Sequence, residues 1–149
     1  MMSALKKVID WLTTFPGNKR LQSFKVDYYT EDPGSASVAP AGLVEISRSV
    51  DIIGNIQVNN QYNFALYYTF TKATTEDEGA QENAEWLLEL QEWIQEQSIL
   101  GLAPVFGDEP AVETIKAQNG SIYDATEEGV ATYSVQLSVE FIKNYEVNN

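Results

Sequence analysis

The chain has 149 residues, 44% of them hydrophobic and 11% aromatic, enough to bury one core at the size of a single domain. It contains no cysteine and no histidine, which excludes disulfides, thiolate metal sites and every nucleophile–imidazole machine built within the chain. The formal net charge of −13, from 22 acids against 9 bases, repels phosphates and anionic headgroups and so disfavours DNA wrapping and membrane binding.

Residues 3–14 read as a short amphipathic helix. Ser3 is placed to cap it, and Leu5, Val8, Ile9 and Leu12 recur at the spacing of one apolar stripe. Interrupted by polar residues, this segment makes no secretory hydrophobic region, and no run of 18 apolar residues occurs anywhere. Phe15-Pro16-Gly17 ends the helix. From Leu21 to Thr30 the pattern turns to period two, with Phe24, Val26 and Tyr28 alternating with Lys25, Asp27 and Tyr29, as in a strand with one buried face. Glu31 to Gly42 breaks all periodicity around Pro33-Gly34 and Pro40, and reads as a mobile loop.

Leu43 to Val50 reads as a strand with Val44 and Ile46 on one side and Glu45 and Ser47 on the other; Gly54-Asn55 then makes a turn. The next strand is the clearest in the chain: Ile56, Val58, Tyr62, Phe64, Leu66, Tyr68 and Phe70 share one face. At about 15 residues it would reach on the order of 50 Å, long enough to require a bend, a bulge near Asn59-Asn60-Gln61, or a projecting ribbon. Thr75 to Leu100 is the main helix, with a capping box at Thr75 and Glu78 and Gly101 as its C-terminal cap. Asn119-Gly120 then signals a hairpin between Val112–Gln118 and Ser121–Tyr123, and a last strand alternates from Thr132 to Phe141. The order predicts a single α+β domain over 1–149: an N-terminal helix and a largely antiparallel sheet of about five to six strands, with one long helix packed on a face.

The long helix carries the most unusual pattern. Glu78, Glu82, Glu85, Glu89, Glu92 and Glu96 stack along one stripe, and no base falls between Lys72 and Lys116. Like charges at this spacing cost a few tenths of a kcal/mol per pair, so local stability did not select them. The plain alternative is a solvated face; the functional one is a surface meeting a basic partner or keeping passing DNA from sticking. Carboxylates on one stripe cannot converge around a cation, so no metal, no cofactor and no catalytic group is expected. Trp86 and Trp93, one heptad apart at the border of the stripe, suit either core-rim packing or an anchor between subunits. The strand tyrosines, Tyr28, Tyr29, Tyr62, Tyr67 and Tyr68, fit ordinary strand preference better than a stacking platform for bases. Lys6, Lys7, Lys19, Arg20, Lys25 and Arg48 all lie in the first third of the chain while acids dominate the middle, a polarity that suits head-to-tail association.

The segments LQSFKVDYYTEDPGSASVAPAGLVEISRS, QYNFALYYTFTK, ENAEWLLELQEWIQEQS, GLAPVFGDEP, IKAQNGSIYD and GVATYSVQLSVEFIKNYEV span nearly the whole chain. Together they resemble small phage and prophage virion proteins of Gram-positive gut bacteria, often labelled minor capsid or tail component. The element order is also similar to tail terminator proteins of long-tailed phages. That resemblance implies a non-enzymatic structural protein, assembled in the bacterial host cytoplasm and located in the virion. Its copies would form a homo-oligomeric ring, a hexamer, that caps the tail tube, meets head-completion proteins and lets DNA pass without reading its sequence. A head-completion or connector role is the alternative, and a carboxylate enzyme or small-ligand binder the competing class. The resemblance assigns regions rather than a motif. The candidate contacts are the helix residues Glu82, Glu85, Trp86, Glu89, Glu92, Trp93 and Glu96, the basic Lys19, Arg20 and Lys25, and Pro33 and Gly34 of the loop.

Overall fold

The computed structural model describes residues 3–20, 23–26, 34–71, 77–125 and 130–147. Helix α1 (Ala4–Leu12) begins where Ser3 Oγ accepts the Lys6 N–H at 3.2 Å, as the capping pattern predicts. A 3-10 turn follows at Pro16–Arg20, then strands β1 (Ser23–Val26), β2 (Ser35–Val50) and β3 (Ile56–Thr71). Helix α2 (Asp77–Ile99), a second 3-10 turn (Pro110–Val112), β4 (Thr114–Ala125) and β5 (Val130–Tyr145) complete the order. The architecture is α+β: β2, β3, β5 and β4 form a four-stranded antiparallel sheet, and the short β1 joins β2 in parallel at one margin.

The alternation in the two long apolar strands fixes this sheet. β3 and β5 pair without a register break from Ile56↔Tyr145 to Thr71↔Val130. Phe64, Leu66, Tyr68 and Phe70 therefore share a face with Tyr133, Val135, Leu137, Val139 and Phe141, and all are buried. Val8, Trp11 and Leu12 of α1 and Trp86, Leu87, Leu90 and Ile94 of α2 close over them, making one core. Trp86 sits at its centre, edge-on to Phe15, Tyr68 and Phe70, and its Nε1 donates to the Gly17 carbonyl at 2.8 Å. Trp11 stacks on Trp93 at 5.1 Å and donates to Gln97 Oε1, fastening α1 along α2.

Several sequence expectations need correction. Ser35 to Gly42 is not loop but the first half of β2; Glu31 to Pro33 lie outside the described residues. Ser35, Ala36, Ser37 and Val38 are all buried, and a strand covered on both faces has no reason to alternate. The predicted strand over 21–30 is described only for Ser23–Val26. Asn119-Gly120 is no hairpin turn either. It lies inside β4, where the pairing with β5 slips between Gln118 and Ser121, and a Cβ on Gly120 would press on the Gln91 side chain. The capping residue Thr75 lies outside the described residues. At the other end, Gly101 does cap α2 at φ +71°, with Leu102 N donating to Gln97 O and Gly101 N to Ser98 O.

Removing Trp86 should unfold the layer that joins the helices to the sheet. Trp86→Ala is expected to cost about 3–5 kcal/mol in urea unfolding. Gly101→Ala, forced into the left-handed region, is expected to cost about 1 kcal/mol. Equal losses from both would contradict this core.

Candidate functional site

The bulges of β2 shape its exposed half, Pro40 to Val50. Ala41 is an extra residue between the pairs Pro40↔Phe64 and Gly42↔Asn63, and Gly42 takes φ +103°. Ile46 is a second extra residue, between Glu45↔Asn60 and Ser47↔Asn59. The irregularity expected near Asn59-Asn60-Gln61 is thus opposite those residues, on β2, while β3 stays regular against β5. Because of the slips, Leu43, Glu45, Arg48 and Val50 share the helix-side face with Tyr62 and Val58. Val44 falls on the other face with Ser47 and Ser49, not beside Ile46 as simple alternation predicts.

Beyond Val38 neither helix reaches this ribbon. Leu43, Val44, Ile46 and Val50 are exposed, and β1 pairs only with Ser35–Val38. Among the described residues, nothing flanks the outer edge of β2 from Ala39 to Val50. At its end the Asp51–Asn55 turn is rigidly tied. Asp51 Oδ1 accepts the N–H groups of Ile53 (3.0 Å) and Asn55 (2.9 Å), Asp51 N donates to Asn55 O, and Gly54 takes φ +90°. That turn presents Ile52 at 100% exposure and Ile53 at 75%. Residues 51–53 carry no sequence signal beyond two isoleucines preceding a Gly-Asn turn.

The opposite margin is closed differently. Ser98 Oγ accepts the Ile115 N–H and Gln91 Nε2 donates to the Ala117 carbonyl, so α2 satisfies outward-facing backbone of β4. The segment before β4 is organised by Glu113, whose two carboxylate oxygens each accept a backbone N–H at 2.8 Å, from Phe106 and Gly107. Asp108 N donates to Ile142 O and Asp108 Oδ2 accepts the Asn144 N–H, extending the sheet beside β5.

Glu82, Glu85, Glu89, Glu92 and Glu96 are all exposed on α2, as their spacing predicts; Glu85 accepts from Gln81 at 2.9 Å. Trp93 is half-buried against Trp11, but Trp86 is 5% exposed and belongs to the core, which removes it as a subunit contact. Gly34 is also buried, donating to Thr69 O at the start of β2, so it is no exposed loop contact; Pro33 lies outside the described residues. Lys19 and Arg20 stand on the first 3-10 turn and Lys25 on β1, with side chains outside the described set. The bases of α1 do not form a free basic end. Lys6 pairs with Asp10 at 3.1 Å, and Lys7 donates to Val105 O and lies over the Phe106 ring. Arg48 pairs with Glu45 at 2.7 Å; that hydrogen bond, and then the charge, raise its pKa above the ordinary value.

No group of three or more acids close enough to hold a metal occurs among the described residues. The polar face of the sheet forms an open groove of about 430 Å³ along Gln61, Asn63, Gln118, Gln136 and Ser138, with Glu140 its single acid. Tyr68 is fully buried, and burial pushes its hydroxyl far above the ordinary tyrosine value, so it stays neutral. Asn83, buried on α2 with its amide 3.4 Å from the Tyr133 hydroxyl, is a core polar group that the helical pattern concealed. None of the described helices is long and apolar enough to cross a membrane. Compared with known proteins, the chain matches no family model, and no curated protein matches it.

A solvated acidic stripe makes a salt-dependent prediction. Replacing Glu85 and Glu89 by Gln should raise the midpoint of thermal unfolding slightly at low ionic strength, by a few tenths of a kcal/mol for the pair removed. The gain should vanish near 1 M salt, where the Debye length is about 3 Å. A loss of stability would mean that these carboxylates hold something in place.

Proposed function

We propose that the chain is a structural virion protein of a phage or prophage, a tail terminator or completion protein. Its copies form a ring that caps the tail tube and joins it to the head. The observation that carries this reading is the second half of β2: among the described residues its outer edge from Ala39 to Val50 is unpaired, and its aliphatic side chains turn to solvent. A strand edge of that length is a template for pairing with another chain, and monomeric proteins blunt such edges. Its exposed aliphatic residues supply the apolar area that association needs. Under this reading the fold acts by surface complementarity, and no enzymatic activity is assigned to it.

The acidic stripe supports the same role. A ring through which DNA passes needs walls that do not bind phosphate, and a row of exposed carboxylates on α2 supplies that repulsion. The half-buried Trp93 and the exposed Leu88 flank the stripe and give it apolar borders for a neighbouring subunit.

The test has two readouts. At high micromolar concentration the purified protein is expected to run as an oligomer in light scattering, with rings, most simply hexameric, in negative-stain micrographs. Deleting its gene in the phage or prophage is expected to give overlong or headless tails. Empty or leaking heads would move the protein to a head-completion or connector position, and normal particles would end the virion reading.

A further inference from the structure

The outer edge of β2 from Leu43 to Val50 is unpaired among the described residues, and every residue along it is exposed. The stretch carries one acid and one base, Glu45 and Arg48. It is therefore locally neutral in a chain whose net charge of −13 makes most surfaces of two copies repel each other. One hydrogen bond joins the two side chains, from Arg48 Nη2 to Glu45 Oε1 at 2.7 Å, and neither has a further partner among the described residues. A carboxylate oxygen and the rest of the guanidinium fork are left for an opposite charge beyond the edge.

The bulge at Ile46 decides which strand this edge can take. Glu45 and Arg48 would face opposite sides of a regular strand. The extra residue puts both on the helix-side face, with Leu43 and Val50. Set antiparallel to itself about a twofold axis at Ser47, the edge then matches at every position. Glu45 lies opposite Arg48 of the second copy, Leu43 opposite Val50, and Val44 opposite Ser49. Each of these pairs shares a face, and Ile46 stays out of the ladder in both copies, as it does against β3. The adjacent registers, with the axis at Glu45 or at Arg48, set like charges against each other. In the matched register the second copy's Asp51 comes level with Gly42, short of the Val26↔Val38 pair that ends β1.

We propose that two copies pair their β2 edges antiparallel over Leu43–Val50, about a twofold axis at Ser47, with Glu45 of each meeting Arg48 of the other. The partner is a second copy because the edge complements itself in charge and in face within one register, a match that an unrelated strand would not require. Backbone hydrogen bonds supply the ladder, and the two crossed ion pairs fix its register. The contact is isologous and joins copies in pairs. It goes beyond the ring reading, leaves the acidic stripe of α2 outside the contact, and does not depend on a place in the virion.

Charge reversal at two exposed positions tests the register. Glu45→Arg and Arg48→Glu are each expected to keep the wild-type circular dichroism and to weaken self-association by at least about tenfold in sedimentation velocity, because like charges then face each other. Mixed together, the two variants should pair with each other, since two bases on one edge meet two acids on the other. The chain has no cysteine, so Ser47→Cys should give a disulfide between two copies of position 47 under mild oxidation. Ser49→Cys should give none, because the two copies of position 49 lie about 13 Å apart along the strands. A monomeric wild type with no disulfide at position 47 would overturn the inference. Assembly that neither variant weakens, or a disulfide at 49 and not at 47, would also overturn it while leaving the ring reading standing. Paired copies in a protein whose deletion leaves normal particles would keep the inference and remove the virion reading.

Discussion

The pairing of β3 with β5, sixteen residues of antiparallel ladder without a slip, is the scaffold on which the core and both margins of the sheet are built. That ladder is longer than the helices can cover. Its Thr71–Val130 end supports a core closed by α1 and α2, and its Ile56–Tyr145 end runs on past them. β2 follows β3 along that whole length, so a strand whose first four residues are buried becomes exposed from Pro40 onward. One continuous backbone element thus has a folding half and a presenting half.

The division has an energetic logic. The buried half holds the aromatic layer around Trp86, Tyr68 and Phe70, where each ring removes a large apolar area from water. The presenting half contributes hydrogen bonds of the ladder but buries little, and its bulges at Ala41 and Ile46 twist the ribbon rather than strengthen it. Aliphatic side chains left in water there do not stabilise the monomer. At the other margin, Ser98 and Gln91 satisfy outward-facing backbone of β4, so among the described residues the two edges of the sheet are treated differently.

How far the sequence could be read follows from which interactions decide each segment. β3 and β5 were legible because one face is apolar and the other polar along most of their length, and period two then leaves no alternative. Ser3 and Gly101 were legible because caps are local chemistry. Ser35–Val38 was not, because small residues buried on both faces carry no period. Asn119-Gly120 misled for the opposite reason: a strong local turn signal was overridden by pairing with a distant strand. Trp86 and Trp93 have the same spacing relation to the stripe, yet only packing against Phe15 and β3 decides that one is core and the other rim. The charge polarity of the chain also lost its simple meaning, since Lys6 pairs with Asp10 of its own helix and Lys7 donates to the Val105 carbonyl after α2. The Ile52–Ile53 tip depends on which apolar residues remain uncovered, a property of the whole fold that no window of sequence contains.

If the chain works as the proposed assembly, the open edge of β2 is covered there and bare in the free protein, which hydrogen exchange followed by mass spectrometry, at nanomolar and at high micromolar concentration, reads out. Protection that rises with concentration in peptides covering 40–55, with unchanged protection in α1 and in β5, is the expected result. Equal protection of those peptides at both concentrations would contradict it.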